Sequence, residues 1–438
     1  MSTLSSSSAL NRLFWRLHFW AGLISSPIIL FAALTGLLYV FTPQIEAWRH
    51  ADVDRVNVGS QRLPLDVQVQ AALAAAPDAA LRHVVSAHAA DDSTQVWLRA
   101  PHAHHGAGGE HDHGLPSGSI VYVNPYTGQV LGQLQEMDRF KTWAKKLHSN
   151  ALQGDGWRWL IELGASWMLV LFATGLVMWW PRPQARGGDG WRALVPRWGR
   201  GRATWRDLHA VVAIALGLVL AVVLVTGLTW AEHSGKRFRD MQRSLSQDAP
   251  RAPKGLQSTA AESPHLSWQA AYDTARSRAP DIAMQLTPPA GKDGVWRAEN
   301  FDRSQPTGRF SLALDARTGA TLFASGWYDF PALAQATAVG IPFHRGEFGV
   351  WNQVLLALAA LAAVFSVVSG FVMWWQRRPR GKVAAPTLPA RTLKAVPLWL
   401  WPLMAALGWA MPVFGWSLLA FVALEGLAAL APRRKTAH

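Results

Sequence analysis

WRLHFWAGLISSPIILFAALTG (Trp15–Gly36) and WRDLHAVVAIALGLVLAVVLVTG (Trp205–Gly227) are two readings of one pattern. Each places a histidine behind a Trp-Arg pair, runs apolar and closes on Thr-Gly. The spacing from His18 to Thr35 is 35 − 18 = 17, and from His209 to Thr226 it is 226 − 209 = 17. Two further runs end in near-copies, TGLVMWWPRP (Thr174–Pro183) and SGFVMWWQRRP (Ser369–Pro379). Each follows a histidine at similar distance: His148 to Gly175 is 27 residues and His344 to Gly370 is 26. Self-similarity on this scale points to a duplicated architecture.

The apolar runs are long enough to cross a bilayer, whose core of about 30 Å takes about 20 apolar residues as helix. Six stretches qualify or nearly do: Phe19–Phe41, Leu160–Trp180, Val211–Trp230, Val354–Trp375, Pro397–Met411 and Val413–Leu430. The last two are short and read as a hairpin. Tryptophan, 24 of 438 residues, crowds the ends of the runs, where its ring suits the headgroup level. Basic residues set the orientation. Arg12 and Arg16 precede the first run, and Arg182–Asp207 holds seven Arg against two Asp. Arg377, Arg378, Arg380 and Lys382 follow the fourth run, and Arg433, Arg434 and Lys435 follow the sixth. If the runs alternate, all these clusters share one side, which is then cytoplasmic. The net charge of +14 is accordingly topological, and no nucleic-acid partner is expected. The first run is too long, and lacks the small-residue cleavage site, for a cleaved signal peptide.

The chain has no cysteine. Disulfides, thiolate metal sites, iron–sulfur clusters and covalently attached c-type haem are thereby excluded. GAGG at Gly106–Gly109 lies in a polar loop without strand-to-helix context and carries no nucleotide signature. It belongs to HAHHGAGGEHDHG (His102–Gly114), whose five imidazoles (His102, His104, His105, His111, His113) suit transition metals as an accessory site. The second half of the chain has no such insert.

The two long polar loops match more weakly. LPLDVQVQAALAAAPDA (Leu63–Ala79) and HLSWQAAYDTARSRAPDI (His265–Ile282) both read as helix, and Leu65 to Pro77 and Trp268 to Pro280 are both 12 apart. Strand-like runs follow around the turns VYVNPYTGQVL (Val121–Leu131) and SLALDARTGATL (Ser311–Leu322). Asn or Asp opening a turn that ends in Gly is hairpin chemistry. Each loop is expected to fold as a small helix-plus-sheet domain.

These features together resemble the PepSY-associated transmembrane proteins. The resemblance rests on FWRLHFWAG (Phe14–Gly22), the two loops with their PD and TG signatures, and the paired VMWW ends at Val177–Trp180 and Val372–Trp375. It covers nearly the whole chain. It implies a mainly α-helical membrane protein, built as a duplicated TM–PepSY-like α+β domain–TM unit with a C-terminal TM hairpin. The expected divisions are 1–42 (TM1, cytoplasmic N-terminus), 43–150 (external domain 1, with the His-rich loop 102–114), 151–181 (TM2) and 182–206 (basic cytoplasmic loop). Then follow 207–231 (TM3), 232–349 (external domain 2), 350–376 (TM4), 377–395 (cytoplasmic loop), 396–431 (TM5–TM6) and 432–438 (cytoplasmic tail). The family includes bacterial inner-membrane siderophore-iron reductases that carry b-type haem.

With equal topology, the halves relate by an axis along the membrane normal. That axis sets His18 opposite His209 at the inner end and His148 opposite His344 at the outer end. With the resemblance, these pairs are the expected bis-His ligands of two haem b groups. His233, in WAEH, has no repeat partner and is expected as a secondary ligand, a proton-handling group or a solvent-exposed residue. Arg16 and Arg206 are expected to pair with haem propionates at the inner site. Lys145, Lys146 and Arg345 bracket the outer histidines, facing propionates or an anionic ferric chelate. Glycines 22, 36, 175, 217, 227 and 370 are expected where helices approach. The activity implied is outward electron transfer to a periplasmic ferric siderophore. Its donor is a quinol or a cytoplasmic-side reductase, its surroundings are membrane lipid, and its neighbours are periplasmic iron-uptake proteins. The alternative is a non-redox PepSY binding module or a metal-transport accessory protein.

Overall fold

In a computed structural model of the chain, the residues described are 6–99, 117–180, 194–199, 201–259, 264–379 and 397–430. The His-rich tract at 102–114 lies outside them, as do 181–193, 380–396 and 431–438. Four helices are long and apolar enough to cross a membrane: α1 (Ser6–Val40), α6 (Arg158–Trp179), α7 (Arg202–Leu228) and α11 (Val350–Arg377). In hydrocarbon a backbone has no water to bond, so an apolar run satisfies itself as helix. These four close a ring, in which α1 packs on α6 and α11, and α7 packs on the same two. The first and third spans therefore face each other across the centre.

Past α1 the chain turns through α2 (Thr42–Arg49) and α3 (Ala51–Asp54) into α4 (Leu65–Ala75), β1 (Ala80–Val85), β2 (Thr94–Arg99), β3 (Ser119–Val123) and β4 (Val130–Gln135). A 3₁₀ turn at Glu136–Asp138 leads to α5 (Phe140–Asn150), and then to the second span. Past α7 comes α8 (His233–Ser244). The order then recurs: α9 (Trp268–Arg276), β5 (Met284–Thr287), β6 (Val295–Asn300), β7 (Phe310–Asp315), β8 (Thr321–Gly326), a 3₁₀ turn at Trp327–Asp329 and α10 (Ala332–His344).

Each long polar loop supplies one helix and four successive strands, and the two sets are joined. All eight strands form one antiparallel sheet, in the order β4-β3-β2-β1-β5-β6-β7-β8. The join is β1 to β5, with Val84 opposite Leu286 and Val85 opposite Gln285. A single core runs across it: Leu65, Val69, Val96, Leu98 and Val121 from one side meet Ala271, Leu286, Trp296 and Leu314 from the other. The two helices over the sheet also cap one another. Asp66 accepts from the Trp268 and Gln269 amides at 2.9 and 3.0 Å, and Gln269 Oε1 accepts from the Leu65 amide at 2.8 Å. Both hairpin turns have the expected chemistry. Asn124 accepts from the Tyr126 and Thr127 amides and Asp315 from those of Arg317 and Thr318, and Gly128 and Gly319 close the turns at φ +72° and +70°.

The C-terminal pair is α12 (Leu400–Ala410) and α13 (Pro412–Leu430). Phe414 and Met411 bury against Trp167 of α6, and Trp167 Nε1 donates to Ser417 Oγ at 2.9 Å. At 11 residues, α12 covers only about 16 Å, roughly half a hydrocarbon core, so this half of the expected hairpin does not cross by itself.

Candidate functional site: two facing histidine pairs

His18 on α1 and His209 on α7 meet across the ring of spans, with ring centroids 6.4 Å apart. His148 ends α5 and His344 ends α10, and their centroids are 6.5 Å apart. The fold thus brings together the pairs that the repeat implied, from four different helices.

Each ring is held by a residue that the sequence reading used only as a spacing mark. His18 Nδ1 lies 3.0 Å from Thr174 Oγ1, His209 Nδ1 2.8 Å from Ser369 Oγ, and His148 Nδ1 3.0 Å from Thr35 Oγ1. His344 Nδ1 lies 3.3 Å from Thr226 Oγ1 and 2.8 Å from the Val223 carbonyl. The partners are the four Thr-Gly and Ser-Gly dipeptides. Their hydroxyl protons are already committed to the carbonyl four residues back: Phe31 for Thr35, Val170 for Thr174, Val222 for Thr226 and Phe365 for Ser369, at 2.7 to 2.8 Å. A hydroxyl carries one proton, so each oxygen is left to accept from Nδ1–H. The Val223 carbonyl can only accept. All four rings are therefore set as the Nδ1–H tautomer, with the Nε2 lone pair free for a ligand.

At two of the four hydroxyl residues, Thr35 and Thr226, the glycine that follows makes room for the ring. A Cβ on Gly36 would come within 3.3 Å of His148 Cε1, on Gly227 within 2.9 Å of His344 Cε1, and on Gly175 within 3.5 Å of His18 Cε1. A Cβ on Gly370 would meet nothing within 4 Å. Gly217 instead faces the Phe172 ring, 2.1 Å from a built Cβ, and Gly22 faces Leu171 at 3.8 Å. The role expected of these glycines, close helix approach, thus becomes imidazole access at Gly36 and Gly227. Burial, and then the facing His344, push the His148 imidazole down to about 4. His344 is also lowered, by burial first. Both rings of the outer pair are neutral at physiological pH.

Around the inner pair the four spans enclose a cavity of about 840 Å³, within the roughly 300 to 1,000 Å³ range of cofactor-sized sites. His18, His209, Trp15, Phe19, Phe172 and Trp374 line it, with Arg202, Arg206 and Arg377 as its cations. Arg206 is placed as expected, although it also sits 3.6 Å from buried Asp207. Arg16 is not among the lining residues. Arg202 and Arg377, not singled out for this role from sequence, take that place, and Arg377 stacks over Trp15 and Phe19 at 4.9 and 5.3 Å.

His233 is not brought to either pair. It opens α8 half exposed, and its Nδ1 lies 3.3 Å from Glu162. Glu162, fully buried on α6, accepts from the His233 and Ser234 amides at 3.0 and 2.7 Å. This carboxylate at span depth caps a helix, and His233 is part of that cap. Lys146 is also committed elsewhere, buried 3.5 Å from Asp155. Among the described residues no group of three or more His, Cys, Asp or Glu side chains could hold a metal.

No curated protein matches the chain. A family model does, described as the PepSY-associated TM region, over residues 15–377. That match takes in all four spans, the whole sheet and all four paired histidines, and the chain belongs to the PepSY-associated transmembrane family.

Proposed function

We propose that the protein is a dihaem b reductase of a bacterial inner membrane, both termini cytoplasmic, which passes electrons outward to a periplasmic ferric siderophore or other ferric chelate and releases Fe(II). The observation that carries this reading is the pair spacing. Two imidazoles on opposite faces of one iron, each with a metal–nitrogen bond of about 2 Å and a further 1.2 Å or so to the ring centre, place their centroids roughly 6.4 Å apart. The pairs stand at 6.4 and 6.5 Å. Each pair gives two donors only, so an ion between them needs its other ligands from a planar tetradentate group, which a porphyrin is.

When bound, each haem supplies a one-electron Fe(III)/Fe(II) couple. The chain's own work would be to hold the group through His18 with His209 and His148 with His344, and to exclude water. Thr174, Ser369, Thr35, Thr226 and the Val223 carbonyl hold the tautomers and ring orientations. Trp15, Phe19, Phe172 and Trp374 wall the inner site, and Arg202, Arg206 and Arg377 offer carboxylate partners there. His18 and Thr35 lie 17 residues apart on α1, about 25 Å along its axis, so one site serves each end of the span. The halves read as two copies of one unit, which gives each end the same two-histidine geometry. One electron suffices at the acceptor, because oxygen-rich chelators hold Fe(III) far better than Fe(II). The donor is a quinol or a cytoplasmic-side reductase.

Haem counting tests the proposal. His18→Ala and His209→Ala should each remove the same one of two haems, and His148→Ala and His344→Ala the other. His233→Ala should leave both. A colourless wild-type preparation from haem-replete cells, or a His18 variant lacking the haem that His344 affects, would overturn it. The first outcome would favour a non-redox membrane module.

A further inference from the structure

Away from the histidines, cations gather at the sheet-bearing end of the spans. There α8 leaves α7, packs on α6 and on the C-terminal pair, and carries Lys236, Arg237, Arg239 and Arg243 against Asp240. Tryptophans ring the place. Trp157 and Trp159 at the start of α6, Trp230 after α7 and Trp409 on α12 are all exposed. Such rings sit at the headgroup level of a bilayer. Arg237 stacks over Trp409 at 5.6 Å, which ties α8 to that level.

Two of the cations converge on one turn. Arg158 Nη2 donates to the Trp230 carbonyl at 2.6 Å, which fixes its fork beside the turn joining α7 to α8. A Cβ on Gly235 would stand 2.7 Å from the Thr229 carbonyl and 3.2 Å from Arg239 Nη1, so the second guanidinium lies over the same turn. Burial, and then the charge of Arg158, push the Arg239 guanidinium down from its ordinary value. Lys236 is exposed nearly one helical turn before Arg239, on the same side of α8.

Nearby carboxylates do not answer these charges. Glu162 is filled by the His233 and Ser234 amides and the Ser234 hydroxyl, and Asp240 takes Arg243. Glu232 is exposed and pairs with neither arginine. Arg239 has no hydrogen-bond or ion-pair partner among the described residues. Basic residues flanking spans gather on the cytoplasmic side. On the orientation proposed above this is the opposite side, so topology does not account for them. Guanidinium forks take phosphate bidentately, and a basic recess beside apolar helices suits a lipid whose chains lie along the spans.

We infer that Arg158 and Arg239, with Lys236 beside them, bind the headgroup of a cardiolipin-type anionic phospholipid at the sheet-bearing end of α6 and α7. Two forks and an ammonium match its two phosphates.

Full-length protein in neutral detergent, titrated with cardiolipin and with phosphatidylethanolamine and followed by native mass spectrometry, tests the site. Wild type should bind cardiolipin the more tightly, and equal binding of the two would sink the proposal. Arg158→Gln and Arg239→Gln should each lower cardiolipin affinity about fivefold, and Arg239→Lys should restore part of it. Arg158→Gln also loses its bond to Trp230, so Arg239→Gln, with no partner to lose, decides if the first misfolds. Arg243→Gln, whose charge already meets Asp240, should change little. An equal loss in Arg243→Gln would mean diffuse attraction and overturn the site. So would Arg239→Gln protein that elutes like wild type and binds cardiolipin unchanged. Inorganic phosphate that displaces the lipid at equal concentration would overturn the lipid assignment in favour of a soluble anion. Neither haem content nor orientation enters the readout, so failure here leaves the proposed function standing, and colourless protein leaves this test intact.

Discussion

At the scale of single residues, the site is four imidazoles made identical by four hydroxyl residues. Thr174→Val keeps the shape of the side chain and removes the acceptor for His18 Nδ1–H. Partners that orient a ligating histidine are worth about 10- to 100-fold in metal affinity. Thr174→Val should therefore weaken retention of one haem by that order, and Thr174→Ser should restore it, both read by haem content after dilution. The histidines and the Thr-Gly and Ser-Gly dipeptides were legible in the sequence as spacings. Their partnership was not, because it joins residues 156 apart for His18 and Thr174 and 113 apart for Thr35 and His148. The regular recurrence of a hydroxyl residue before glycine was the available signal. A second residue effect is pH-dependent. His83 on β1 is buried, stacked on Trp97 at 5.1 Å, and pushed down to about 3 by burial and then by Arg82 and Arg99. Unfolded, it titrates near 6.5. The unfolded chain thus binds the extra proton between these values, and stability falls as pH drops from about 6.5 towards 3. The thermal midpoint of the eight-stranded sheet should decline over that window, and less steeply in His83→Leu.

At the scale of elements, the reciprocal caps decide how the sheet-bearing part is built. Asp66→Ala leaves the Trp268 and Gln269 amides at the start of α9 without their acceptor. Loss of such a cap costs roughly 0.5 to 2 kcal/mol. The melting temperature should fall, and α9 should become open to proteolysis before α4 does. Both helices and both hairpin turns could be read from apolar spacing and from Asn124, Gly128, Asp315 and Gly319. The join between the halves could not. It rests on two residue pairs, Val84 with Leu286 and Val85 with Gln285, and a short apolar strand end carries no mark of which edge it will meet. The shortness of the C-terminal pair was legible in its two brief apolar runs, interrupted at Pro402 and Pro412.

At the scale of the whole molecule, orientation would decide the direction of the proposed electron flow. The chain lacks cysteine, so single engineered thiols report cleanly. Ser304→Cys, in the loop before Arg309, should react with an impermeant maleimide in spheroplasts, and Gly188→Cys should not. The opposite labelling would place His148 and His344 on the inner side and reverse the proposed flow.

The outer histidines hang from the far edges of the sheet, α5 from β4 through Glu136–Asp138 and α10 from β8 through Trp327–Asp329. Eight strands at about 4.8 Å make a beam some 34 Å across, whose two ends return to one point above the spans. The 6.5 Å gap is therefore closed by two arms that start at opposite edges of one sheet and are each seated on a span, α5 on α1 and α10 on α7.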